Sequence, residues 1–130
     1  MPDRYFFDTS AFLAVVRSEW QGPAILALLD SLKGRQKVSS VLVAYELYRG
    51  ISPNQPKGRA QRLYLDKILT EFSVKPVTNA NAMAGARLYR YSKGFADSLI
   101  GAQCLEGGSF PVTTNASDFA RMPGIRLARL

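Results

Sequence analysis

The chain has 130 residues, 47% hydrophobic and 21% charged, with 17 Lys and Arg against 10 Asp and Glu for a net charge of +7. That length and balance suit a single globular domain and exclude a disordered or low-complexity chain. With no histidine and one cysteine, Cys104, the chain lacks the means for imidazole bases, Ser-His-Asp or Cys-His catalysis, His-ligated or thiolate zinc, and internal disulfides.

Arg4 to Phe7 (RYFF) reads as a short buried strand, and TSAFLAVV after it as a helix capped by Asp8, Thr9 or Ser10. Gly22-Pro23 opens a second helix, PAILALLDSL, ended by Gly34. RQKVSS gives a strand and two serines suited to capping VLVAYELYRG, a helix that Gly50 closes. After the turn-rich ISPNQPKG, the stretch GRAQRLYLDKILTEF carries Leu63, Leu65, Ile68, Leu69 and Phe72 as a helical stripe leading to the strand SVKPV. Asn79 to Ser92 is helical, Lys93-Gly94 breaks it, and DSLIGAQCLE starts afresh at Asp97. SFPVTTN is a strand and its exit, SDFARM a short helical turn, and IRLARL a last strand.

Strands alternating with helices in this way predict one α/β domain over residues 1–130, three-layered, with a mostly parallel sheet between helices. No run approaches the ~20 apolar residues that would span a bilayer. The opening MPDRYFFDTS, with an acid third and a short apolar run, does not read as a secretory leader, and the expected location is the cytoplasm. The positive balance favours a polyanionic partner such as nucleic acid, although many basic domains are merely soluble.

Of the ten acidic residues, six lie in polar surroundings or on solvated helix faces, Asp3 among them. Asp8, Glu46, Asp97 and Asp118 instead interrupt apolar stretches or strand exits. Taken singly, Asp8, Asp97 and Asp118 are good N-cap residues, and Glu46 can pair with Arg49 or Arg90. Caps need no common location. In an open parallel sheet, however, ligands bind beyond the carboxyl ends of the strands, and all four acids fall near such exits if the crossovers are right-handed. A gathered cluster would repel itself unless a cation offset the charge, and hard oxygen donors suit Mg²⁺ or Mn²⁺. Such ions serve phosphodiester hydrolysis.

At these residues the sequence resembles the PIN-domain ribonucleases, in particular the VapC-type toxins of bacterial toxin–antitoxin pairs. The likeness runs through FDTS and its helix, SSVLVAYELYRG, the stretch FSVKPVTNANAMAGARLYRYSKG, and ADSLIGAQCLEGGSFPVTTNASDFARMPGIRL. No piece is specific alone; the ordered acids with the T-x-N-x-x-D-F ending are. The resemblance implies that Asp8, Glu46, Asp97 and Asp118 are catalytic, metal-binding acids. It makes Thr114 and Asn115 supporting polar groups, with Thr9 either a similar support or a plain cap. It further implies an RNA substrate, a VapB-like antitoxin that occludes the cleft, and a homodimer. The loop before Asp97 is short, and Asn115 and Ser117 stand where some relatives carry further acids, so one firmly held ion is expected and a second arriving with substrate.

A non-catalytic nucleic-acid-binding or regulatory module is the alternative. A phosphatase with Asp8 as nucleophile lacks the second Asp two residues on, where Ser10 stands, and the chain has no glycine-rich phosphate loop. Tyr45, Tyr48, Tyr64, Tyr89 and Tyr91 read as core or dimer packing rather than base-stacking platforms. Arg87, Arg90 and Lys93 read equally as a backbone-binding stripe or a solvated face, and Trp20 as a lid or interface anchor.

Overall fold

A computed structural model describes residues 4–130; Asp3 and the first residues of the opening stretch lie outside them. Four strands, β1 (Arg4–Phe7), β2 (Lys37–Ser40), β3 (Ser73–Lys75) and β4 (Ser109–Val112), form one sheet in the order β3-β2-β1-β4, every pair parallel. Among the described residues six α-helices accompany them: α1 (Thr9–Val16), α2 (Gly22–Ser31), α3 (Val41–Gly50), α4 (Pro56–Leu69), α5 (Asn79–Leu88) and α6 (Phe95–Gly107). The fold is the expected three-layer α/β/α arrangement. Among the described residues no helix is long and apolar enough to cross a membrane.

The central strand shows why both sheet faces are covered. Side chains alternate along a strand, so Phe6 and Phe7 point to opposite faces, and both are fully buried. Phe7 meets Phe12 of α1 and Phe72 just before β3, with ring centroids 5.9 and 5.0 Å away, and Phe12 and Phe72 are themselves 5.0 Å apart. Phe6 faces the other way, towards Asn81 of α5 and Gln103 of α6. On the first face α1 packs against α2, α3 and α4; on the second α5 packs along α6, which lies on β4.

The tail departs from expectation. Ile125–Leu130 forms no strand, although Ala128 N–H donates to the Pro111 carbonyl at 3.0 Å. In β4 the Val112 carbonyl accepts from Asp8 N–H on the β1 side, so Pro111 presents its backbone to the outer edge. There it can accept but not donate, and a ladder cannot continue past it.

Two apolar expectations also change. Leu65, Ile68 and Phe72 are buried, whereas Leu63 is 72% exposed; two residues from Leu65, it lies roughly 200° round the helix from the core stripe. Tyr45, Tyr48, Tyr64 and Tyr89 are exposed rather than in the core, two of them under guanidinium groups: Arg49 over Tyr45 at 5.5 Å and Arg62 over Tyr48 at 4.2 Å. Tyr91 alone of the five packs against the core. Trp20 is exposed.

Candidate functional site

β1 passes into α1 through a single residue, and that residue is Asp8. Its backbone is extended and its carboxylate caps α1, accepting from Ala11 N–H at 3.1 Å and from Ser10 Oγ at 2.7 Å. The β-strand before it is buried on both faces, so the cap is buried too. Burial is the main cause that raises the Asp8 pKa above the usual carboxylate range; bonds from Thr113, Ser10 and Ala11 oppose the rise, and the charge of Asp118 adds to it.

The exit of β4 supports this corner. Ser10 Oγ and Thr113 Oγ1 are 3.1 Å apart, Thr114 N–H donates to Ser10 Oγ at 2.9 Å, and Asn115 N–H donates to Thr113 Oγ1 at 2.9 Å. Thr114 therefore contributes a backbone N–H, and the hydroxyl beside Asp8 belongs to Thr113. Sequence reading missed Thr113, and considered Ser10 only as a cap. The available signal was the alternation of β4: with Val112 buried inward, the next residue stands at the strand end beside the Asp8 turn.

Ser40 ends β2 and caps α3, its Oγ accepting from Leu42 N–H at 3.1 Å. Glu46 follows in α3, where its Oε1 accepts from Thr9 Oγ1 at 2.7 Å. It pairs with neither Arg49 nor Arg90. Thr9 is thus the first residue of α1 rather than its cap, and it ties α1 to α3.

Asp97 does not start its helix. Gly94 precedes α6, and Asp97 is the third residue in, where the positive end of the helix dipole favours a carboxylate. Even so its pKa is pushed up to about 6, first by burial, then by the charges of Asp118, Asp8 and Glu46, with Lys93 pulling the other way. Asp118 ends a short 3₁₀ turn, Ala116–Asp118, and is not an N-cap. Lys93 Nζ stands 3.9 Å from its Oδ1 and 3.1 Å from Ser117 Oγ. Of the three aspartates that could have been caps, only Asp8 is one.

One cleft contains all four carboxylates: Asp8, Thr9, Ser10, Leu13, Glu46, Asp97, Ile100, Asn115 and Asp118 line it. Among the described residues, however, no three Asp, Glu, His or Cys side chains stand close enough to hold one ion directly. The grouping is a shared cleft rather than a tight cage. Its donors are all oxygen, and the mutual repulsion felt at Asp97 is relieved by positive charge. That donor chemistry fits Mg²⁺ or Mn²⁺, Mg²⁺ in particular keeping several of its own waters. Cys104 is buried, and burial pushes its thiol pKa up, so it offers no competing nucleophile.

A sequence-family model for the PIN domain matches residues 5–125. Among solved structures, VapBC2 from Rickettsia felis bound to a promoter DNA fragment superposes with a TM-score of 0.82 at 20% identity, covering 98% of each chain. DNA-bound VapBC from Salmonella typhimurium gives 0.80 at 18% identity, again over 98% of both chains. The sarcin–ricin-loop-cleaving toxin VapC20 of Mycobacterium tuberculosis gives 0.75 at 20% identity, over 97% of this chain and 99% of that one. At such identities the likeness is one of fold. No curated protein matches in sequence.

Proposed function

The chain belongs to the PIN domain family, and from that premise we propose that it is a metal-dependent endoribonuclease, acting in the cytoplasm as the toxin of a toxin–antitoxin pair. The observation that carries this reading is the cleft itself: four carboxylates from separate parts of the chain face one another beyond the strand ends. Neither capping nor ion pairing explains Glu46 or Asp97. The structures of similar fold include a toxin that cleaves the sarcin–ricin loop and complexes of VapBC proteins, which supports an RNA substrate and a VapB-like antitoxin for this chain; that it works as a homodimer is part of the same proposal.

Asp8, Glu46, Asp97 and Asp118 are assigned to hold Mg²⁺ or Mn²⁺. When bound, the ion supplies Lewis acidity towards a phosphodiester and makes a water more acidic. The chain's own residues do the remaining work. Ser10, Thr113 and the Ala11 amide fix the Asp8 carboxylate in one orientation, and Thr9 fixes Glu46. Asn115 lines the cleft with a neutral polar group suited to a phosphate or a water. The net charge of +7 draws a polyanion to a centre that is itself acidic.

A second reading, a nucleic-acid-binding module without catalysis, is favoured by one observation: among the described residues no three ligands are already within reach of a common ion. The two readings separate on a structured RNA such as bulk tRNA, incubated with Mn²⁺ and then with excess chelator. The nuclease reading expects cleavage that the chelator stops and that Asp97→Asn abolishes. Wild-type cutting by purified Asp97→Asn protein overturns the site. RNA binding that weakens with salt, with no cleavage at any Mn²⁺ concentration, establishes the binding module instead.

A further inference from the structure

Resting on the nuclease reading, we propose that Lys93 is a substrate-positioning residue that stands at the rim of the acidic cleft against Asp118 until a divalent ion displaces it and then binds the RNA phosphate. Among the described residues, Lys93 is the one cation within ion-pair distance of any of the four site carboxylates. It reaches Asp118 from the loop before α6, with Nζ 3.9 Å from Asp118 Oδ1 and 3.1 Å from Ser117 Oγ. Its charge also opposes the repulsion at Asp97. A lysine placed so is a monovalent counter-charge for a cluster that otherwise repels itself.

The geometry is that of a movable group. The Lys93 side chain is 61% exposed, and 3.9 Å is a loose ion pair, worth little in water and easily exchanged. Its other partner, the Ser117 hydroxyl, is neutral. An ion taking up Asp118 removes the partner that holds the ammonium and repels it. A flexible four-carbon stem carrying three donors then has one strong acceptor to move towards, the anionic oxygens of a phosphate bound at the same cleft. The short loop of residues 92–94 keeps that stem beside the cleft: Ser92 Oγ lies 2.7 Å from the Tyr89 carbonyl and 3.0 Å from the Gly94 carbonyl, its one proton shared between acceptors at the two ends of the turn.

The two halves of this role predict effects of opposite sign, which a structural tie would not produce. In Lys93→Met protein without RNA, removing a positive charge within several ångströms of a doubly charged ion should tighten Mn²⁺ binding about fivefold. The same substitution should raise KM for RNA about tenfold while kcat changes little, and Lys93→Arg should restore KM. Melting temperature checks that the variants fold. Unchanged or weaker Mn²⁺ binding in Lys93→Met, or an unchanged KM, overturns the proposal. Asp97→Asn run in parallel keeps the failures apart: if it binds Mn²⁺ as the wild type does, the metal site itself is wrong, whatever Lys93 does.

Discussion

Thr9 and Glu46 are joined by a 2.7 Å hydrogen bond across 37 residues of sequence, and this bond sets the direction of a carboxylate that makes no ion pair among the described residues. Thr9→Val keeps shape but leaves Glu46 free to turn. Loss of one such orienting contact costs about tenfold in activity or metal affinity and about 1 kcal/mol of stability. Thr9→Ser, which keeps the hydroxyl, should recover both. Steady-state cleavage and chemical denaturation of the three proteins provide the check.

Asp8 is a buried carboxyl whose pKa is raised mainly by desolvation. Asp8→Asn retains an oxygen for the Ala11 amide, and Asn caps helices as well as Asp does. Without metal, the variant should melt at or above the wild-type temperature at pH 7.5, because the amide replaces a group whose charged form burial disfavours. Cleavage should fall by about 10²–10³-fold, the scale of losing one well-placed electrostatic contact. A large fall in melting temperature would mean that the carboxylate is structural first.

Stability should depend on pH with a definite sign. The Asp97 carboxyl titrates near 6 against an ordinary 3.8, so the folded state binds more protons than the unfolded state between those values. Unfolding free energy of the metal-free protein therefore falls as pH rises through that window, and Asp8, shifted the same way, adds to the trend. Protons and cations compete for these groups, so Mn²⁺ should raise the melting temperature more at pH 7.5 than at pH 5. Melting curves with and without Mn²⁺ at both pH values test the sign.

Gly58 tests the frame behind the site. A Cβ there would overlap the Ser52 carbonyl oxygen, a backbone atom that cannot rotate away. Gly58→Ala should cost about 2 kcal/mol, within the usual range for overpacking, and lower the melting temperature by about 8 °C for a domain of this size. Thermal denaturation reads it directly.

The strand-to-helix rhythm of the chain was legible because the strands are short and two of them run straight into a capping residue: Asp8 just after β1 and Ser40 at the end of β2 both cap the helix that follows. Ile125–Leu130 has the same apolar alternation but meets the outer edge of β4 at Pro111, a tertiary fact that periodicity does not contain. The exposure of Tyr45, Tyr48 and Tyr64 was hidden for a related reason, since helical spacing shows which residues share a face but not whether that face is covered.

At the site, the four acids stood out because apolar neighbours make a charge expensive unless it has a use. Their meeting in one cleft depended on topology, which the alternation of elements suggested. The looseness of the grouping did not show in sequence, because it depends on side-chain distances set by packing. Nor did the bond between Thr9 and Glu46, whose partners are 37 residues apart. The exchange of roles between Thr113 and Thr114 turns on a single step of strand alternation, finer than motif reading can fix.

The central claim is that Asp8, Glu46, Asp97 and Asp118 act together on one kind of cation, and calorimetric titration of Mn²⁺ into RNA-free protein at pH 7.5 tests it most directly. Saturable binding to the wild type, with affinity lowered at least about tenfold in Glu46→Gln and in Asp97→Asn, is the predicted result. Equal affinity in all three proteins, or no binding to the wild type, would contradict it.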